Sequence, residues 1–196
     1  MKILFIFLFS PMTCLIAAAP DAHEFLHTVQ TLHVLNESSL QKLGFGNATV
    51  DDVLKFLHDL QNDVLNEYGC RLNLLGAIKE SKETMLNQPD FSPDDRFQLS
   101  LFYDALFEKL THKELGLWNF GSSKNKQEKP QLELPAKIAA GFMCSLGGAL
   151  LCIVPIPVIQ GIGVGLVTTG IGLAMDGMSS GERPYYVDPR TGQRIP

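Results

Sequence analysis

His23, Glu24 and His27 stand in the order and spacing of a helical zinc site. Two histidines four residues apart share one face of a helix, and the glutamate beside the first could take a proton from a zinc-bound water. His33 falls where a longer form of this pattern puts a third ligand. The neighbouring residues oppose that chemistry. Gln30 stands where a glycine would let the chain turn back. On a continuous helix His33 is rotated about 240° from His27, onto another face. The pattern also begins close to the expected mature N-terminus, which leaves no upstream chain to build a substrate cleft. The two histidines therefore read as polar residues on an exposed helix face. No G-x-S-x-G segment occurs, and no cysteine has the setting of a nucleophile. The expectation is a noncatalytic protein with no catalytic residues, no metal ligands and no cofactor. A small zinc peptidase is the enzymatic alternative.

Two further residue patterns bear chemistry only in a particular compartment. Asn36-Glu-Ser and Asn47-Ala-Thr match the acceptor triplet of asparagine-linked glycosylation, which requires export in a eukaryotic host. The first nineteen residues supply the address. Lys2 precedes an apolar run with Pro11 inside it, and Ala17 and Ala19 fit a small-x-small cleavage site. Cleavage after Ala18 and an uncleaved anchor are the alternatives. Export would permit disulfides, but the four cysteines do not form a framework. Cys14 leaves with the signal peptide. Cys144 and Cys152 would lie roughly 12 Å apart along one helix, beyond bridging distance. Cys70 then has no partner.

The elements that would carry these residues are helical. Residues 20–120 predict four helices in an extracytoplasmic domain. The first spans about 21–43, with Phe25, Leu26, Val29, Leu32 and Leu35 on one side, and stops at Gly44-Phe45-Gly46. The second begins at Thr49, with Asp52 three residues on as in a capping box, and ends at Gly69. Its apolar positions are Val50, Val53, Leu54, Leu57, Leu60, Val64 and Tyr68. The third covers about 71–86. The fourth opens on Ser92-Pro93-Asp94-Asp95, a capping serine, a first-turn proline and two acids at the positive helix end. Its expected buried face is Phe97, Leu101, Phe102, Ala105, Leu106 and Leu110. No stretch of this region alternates well enough for a strand. Residues 20–120 carry sixteen acids against eight lysines and arginines, the charge of a solvated helical surface. Residues 121–137, with four lysines, two glutamates and two prolines, predict a polar linker.

Residues 138–175 contain no charged side chain. Pro155-Ile156-Pro157 divides them into apolar halves, 138–154 and 158–175, each just long enough to cross a hydrocarbon core of roughly 30 Å. Insertion would gain on the order of 3 to 4 kcal/mol per half, which is modest, so pairing should help. Gly141, Ser145, Gly148 and Cys152 form a stripe of small residues. Gly161, Gly165, Thr168 and Gly172 repeat its spacing in the second half. An antiparallel hairpin centred on the proline pair would set Gly141 opposite Gly172, Ser145 opposite Thr168, Gly148 opposite Gly165 and Cys152 opposite Gly161. These eight are the candidate helix-packing residues, because small stripes let backbones approach where lipid gives no hydrophobic drive. A soluble core hairpin is the alternative. Gly161-Ile-Gly163-Val-Gly165 lacks the strand, the third glycine spacing and the lysine of a phosphate-binding loop.

This hairpin resembles, in pattern, the apolar hairpin of colicin-type pore formers and the bilobed hydrophobic segments of chlamydial inclusion-membrane proteins. That resemblance implies membrane insertion. The tail, residues 176–196, predicts two short strands around a glycine turn within Tyr185-Tyr-Val-Asp-Pro-Arg-Thr-Gly192-Gln-Arg-Ile. It is similar to one hairpin of a WW domain, without the tryptophans that would bind proline motifs.

The fold class expected is mainly α, with a four-helix acidic N-terminal domain, a C-terminal antiparallel hydrophobic helical hairpin and a short β-hairpin-like tail. The net charge of -5 and only 16 basic residues exclude a dedicated nucleic-acid binder. With 45% apolar and 19% charged residues the chain is neither a disordered tail nor a coiled coil. The functional expectation is an exported, membrane-associated protein with the lipid bilayer as partner, a membrane-active role and self-association. The alternative is a secreted soluble binding module whose hairpin closes its own core.

Overall fold

The computed structural model describes residues 21–31, 45–114 and 130–195. The expected signal peptide, the second half of the first predicted helix, Asn36 and His33 lie outside them, as does most of the predicted linker. The protein is mainly helical with a small antiparallel sheet. In chain order the described elements are α1 (Ala22–Thr31), β1 (Ala48–Thr49), α2 (Val50–Tyr68), α3 (Leu74–Leu86), α4 (Pro93–Glu114), β2 (Gln131–Leu134), α5 (Ala136–Cys152), α6 (Pro157–Ser179), β3 (Tyr185–Val187) and β4 (Arg194–Ile195).

Local chemistry sets the helix boundaries. Thr49 and Asp52 cap each other at the start of α2: the Asp52 N–H donates to Thr49 Oγ1 at 3.2 Å and the Thr49 N–H donates to Asp52 Oδ2 at 2.9 Å. Gly69 ends α2 in the left-handed region, at φ 67°, which a side chain would strain. The Asn73 side chain accepts from the Gly76 N–H to start α3. Ser92 and Asp95 repeat the reciprocal cap before α4, with Pro93 as its first residue.

A single apolar core draws on all six described helices and on β2. It is continuous across the regions read from sequence as a helical unit and a hairpin. The reason is α5. Residues 138–151 are all buried, because a helix that is apolar all round is satisfied only by neighbours all round. α2, α3 and α6 all pack on it. Phe25 of α1 meets Phe56 of α2 edge-on, and Phe142 of α5 packs against Phe102 and Tyr103 of α4.

Three local expectations differ from the structure. The inner face of α4 is Leu99, Phe102, Tyr103, Leu106 and Leu110, while Phe97 is exposed. Both sets recur at helical spacing, and the position of Phe142 selects the first. Gln131–Leu134, inside the predicted linker, is a strand whose Leu132 and Leu134 are buried, an alternation of period two. Ala48–Thr49 adds a two-residue edge strand just before α2.

The sheet order is β1-β2-β3-β4, antiparallel throughout. Ala48 pairs with Leu134, Glu133 with Tyr185, and Val187 with Arg194. The tail hairpin turns through Gly192 at φ 66°. β2 leads directly into α5 and β3 follows α6, so the sheet sits at the base of the helical pair. The Pro155–Pro157 turn lies at the opposite end.

Candidate membrane-contacting surface

α5 and α6 run antiparallel and nearly touch at the backbone. A Cβ on Gly148 would lie 2.6 Å from the Gly163 carbonyl oxygen and 2.8 Å from the Val167 nitrogen. A Cβ on Gly141 would lie 2.6 Å from the Gly170 oxygen and 2.7 Å from the Ala174 nitrogen. The contact is reciprocal: Gly163 faces the Gly148 oxygen and the Cys152 nitrogen, and Gly170 faces the Gly141 oxygen and the Ser145 nitrogen. The α5 stripe of Gly141, Ser145, Gly148 and Cys152 therefore lies along α6.

The other half of the expected stripe is placed elsewhere. A Cβ on Gly161 or Gly172 would meet nothing within 4 Å, Thr168 is exposed, and Gly165 is half-buried. The pairs Gly141–Gly172 and Gly148–Gly165 are replaced by Gly141–Gly170 and Gly148–Gly163. A shift of two residues along α6 is a rotation of about 200°, so α6 presents its other face. That face carries glycine at 163, 170 and 177, a seven-residue repeat, flanked by Ile159, Leu166, Leu173 and Met178. Turning it inward buries these four large side chains as well as the glycines. Turning Gly161, Gly165, Thr168 and Gly172 inward instead would leave Ile159, Leu166, Leu173 and Met178 in contact with solvent.

The outward face of α6 and the turn are apolar and uncovered. Val158 is 72% exposed, Val164 59% and Ile153 41%. α6 is 23 residues long and apolar enough to cross a membrane, and a third of its most apolar window is buried. Its charge lies at the base, where Lys137 and Asp176 form an ion pair at 2.5 Å. A cavity of about 180 Å³ opens beside this surface, lined by Glu80, Thr84, Cys152 and Val164 among others.

Inside the bundle Ser145 serves a second purpose that sequence reasoning missed. Its hydroxyl is 2.9 Å from that of Ser81 on α3, which is 2.8 Å from the Tyr103 hydroxyl on α4. All three are buried. The chain ties α5 to α3 and α4 and leaves each hydroxyl partnered, as burial of polar groups demands. Burial holds the Tyr103 hydroxyl well above the usual tyrosine range, against the opposing hydrogen bonds from Ser81 and Ser145. The only sequence signal was a pair of serines at positions the helical period buries.

His23, Glu24 and His27 lie on the exposed side of α1, with Phe25 and Leu26 buried between them. Asp63 of α2 is held above the ordinary carboxyl range by burial. His23 lowers it, and Asp21, Asp59 and Glu67 raise it. Among the described residues no three His, Cys, Asp or Glu side chains gather as a metal site. Cys70, Cys144 and Cys152 are free thiols. On the sheet, Tyr185 donates to Glu133 at 2.7 Å, accepts from the Asn47 amide at 3.0 Å, and lies under the Arg194 guanidinium at 3.6 Å.

No protein-family model, curated protein or solved structure matches the chain, so these contacts carry the functional reading by themselves.

Proposed function

We propose that this is an exported, noncatalytic protein that associates with lipid bilayers through the tip of its helical hairpin and the outward face of α6. The observation that carries the reading is the exposure of Ile153, Val158 and Val164 on a hairpin without a charge from 138 to 175. In water such a face keeps apolar surface solvated, at roughly 25 cal/mol for each Å²; in the interfacial region of a bilayer that surface is covered. α6 would span about 35 Å at 1.5 Å per residue, enough to cross the hydrocarbon core, whereas α5 would span about 26 Å and is already enclosed by protein. α6 is therefore the lipid-facing helix and α5 its protein-facing partner.

Flotation of the mature chain with phosphatidylcholine vesicles tests this. Binding is expected, and Val158→Asp with Val164→Asp should abolish it while the far-ultraviolet circular dichroism stays unchanged. Carbonate extraction then separates a surface-bound chain, which is released, from an inserted one, which is not. A folded chain that stays with the soluble fraction overturns the reading. One observation favours the secreted binding module instead: α5 is buried along its whole central length, as in a soluble core. Self-association of the α6 face in the absence of vesicles, read by analytical ultracentrifugation, would fit that second reading.

A further inference from the structure

We propose that Asn47 carries an asparagine-linked glycan at the hairpin base, on the side of the molecule away from the membrane-contacting tip. This rests on the export reading, because the modification happens only in the secretory pathway of a eukaryotic host. The acceptor triplet is Asn47-Ala48-Thr49. Asn47 is exposed, immediately before the edge strand of the sheet. A bulky substituent there therefore meets solvent.

The chemistry is compatible with the contacts the side chain makes. In the transfer, the Asn47 amide nitrogen forms a bond to C1 of a sugar on a lipid-pyrophosphate donor. The C1–oxygen bond breaks, the lipid pyrophosphate leaves with its electron pair, and the amide loses one proton. One N–H remains. That hydrogen keeps the bond to the Tyr185 hydroxyl, 3.0 Å in the unmodified chain, when it is the one facing Tyr185.

The same geometry sets the order of events. The hydroxyl residue of the triplet is Thr49, and its Oγ1 donates to Asp52 at 2.7 Å while accepting the Asp52 N–H. Ala48 and Thr49 are also paired with β2. The triplet is committed to the cap and the strand once the chain folds, so transfer precedes folding of this corner.

The experiment expresses the full chain in a eukaryotic secretory host with an extra acceptor triplet appended to its C-terminus as an internal report of export. Deglycosylation by peptide N-glycosidase in heavy-oxygen water should convert Asn47 to labelled aspartate in most molecules, and Asn47→Gln should remove one glycan from the mobility pattern. A glycosylated C-terminal tag with unlabelled Asn47 overturns this assignment and leaves export intact. An unmodified tag together with unlabelled Asn47 overturns the export reading, and the assignment with it. Refolded, unmodified full chain offered to detergent-solubilised transferase and its lipid-linked donor should stay unmodified; modification there overturns the order of events.

Discussion

Gly161 and Gly163 stand two residues apart on α6, yet the same substitution should move stability in opposite directions. A Cβ on Gly163 would lie 2.7 Å from the Gly148 carbonyl oxygen and 2.8 Å from the Cys152 nitrogen, both backbone atoms that cannot swing aside. Ordinary contact begins near 3.4 Å, so the helices would have to part by several tenths of an ångström. α5 has little room to move away, because it is fully buried from 138 to 151 and α2 and α3 also pack on it. Overpacking of this kind costs about 1–3 kcal/mol, and alanine returns about 1 kcal/mol in helix propensity. Gly163→Ala should therefore be destabilising by up to about 2 kcal/mol, and Gly148→Ala by a similar amount for the same reason. Gly161→Ala meets open space and should gain roughly 0.5–1 kcal/mol from propensity alone. At about 2–4 °C per kcal/mol for a chain of this size, the two variants should differ in Tm by several degrees. Urea and thermal unfolding of a chain beginning at residue 20, followed by circular dichroism, reads this directly. If Gly161→Ala lowers the midpoint more than Gly163→Ala, the inward face of α6 has been assigned to the wrong side and the packing argument fails.

Ser81→Ala leaves the hydroxyls of both Tyr103 and Ser145 short of a partner in the core, at a cost of about 1–3 kcal/mol; Tyr103→Phe removes one end of the chain and should cost less, and the reverse order in urea unfolding would refute the central role of Ser81. Because burial raises the folded-state pKa of Tyr103 above its ordinary value of 10.0, the folded protein holds that proton where the unfolded chain has lost it. Its contribution is complete below pH 10 and should fall as pH rises further, with a slope of up to about 1.4 kcal/mol per pH unit; Tyr103→Phe should flatten the fall, as a pH series of urea midpoints would show. Thr49→Ala removes the hydroxyl that accepts the Asp52 N–H while leaving the backbone N–H of residue 49 to bond Asp52, and should cost about 1 kcal/mol in the unglycosylated chain, with amide exchange rising first in residues 50–53. Cys144, fully buried, should react with a maleimide only at the rate of global unfolding, whereas the partly exposed Cys70 should react in the native state.

The start and end of α2 and the start of α4 were legible because the forces that set them act over three or four residues. Thr49 with Asp52, Ser92 with Pro93, and Gly69 each decide a helix end using atoms of their own turn, and those atoms are named by the sequence. The division of the apolar stretch at Pro155-Ile156-Pro157 is of the same kind. So is the turn around Gly192.

Which side of a helix faces inward is decided by atoms far away in the chain. α6 carries glycines on two opposite faces, and the spacing of Gly161, Gly165 and Gly172 is as regular as that of Gly163, Gly170 and Gly177. Only the fit against α5, with Leu166 and Leu173 available to fill the flanks of the second set, separates them. The same holds for α4, where Phe142 selects Leu99 and Tyr103 over Phe97, and for Ser81, whose partners are 22 and 64 residues away. Gln131–Leu134 becomes a strand because β1 and β3 lie on either side of it to take its hydrogen bonds. Residue types and their spacing thus determined that the chain is mainly helical, how apolar each helix is and those helix ends whose caps lie within their own turn. The tertiary structure decided which faces meet, because packing energy depends on the shape of the partner and a periodic sequence carries no record of that shape.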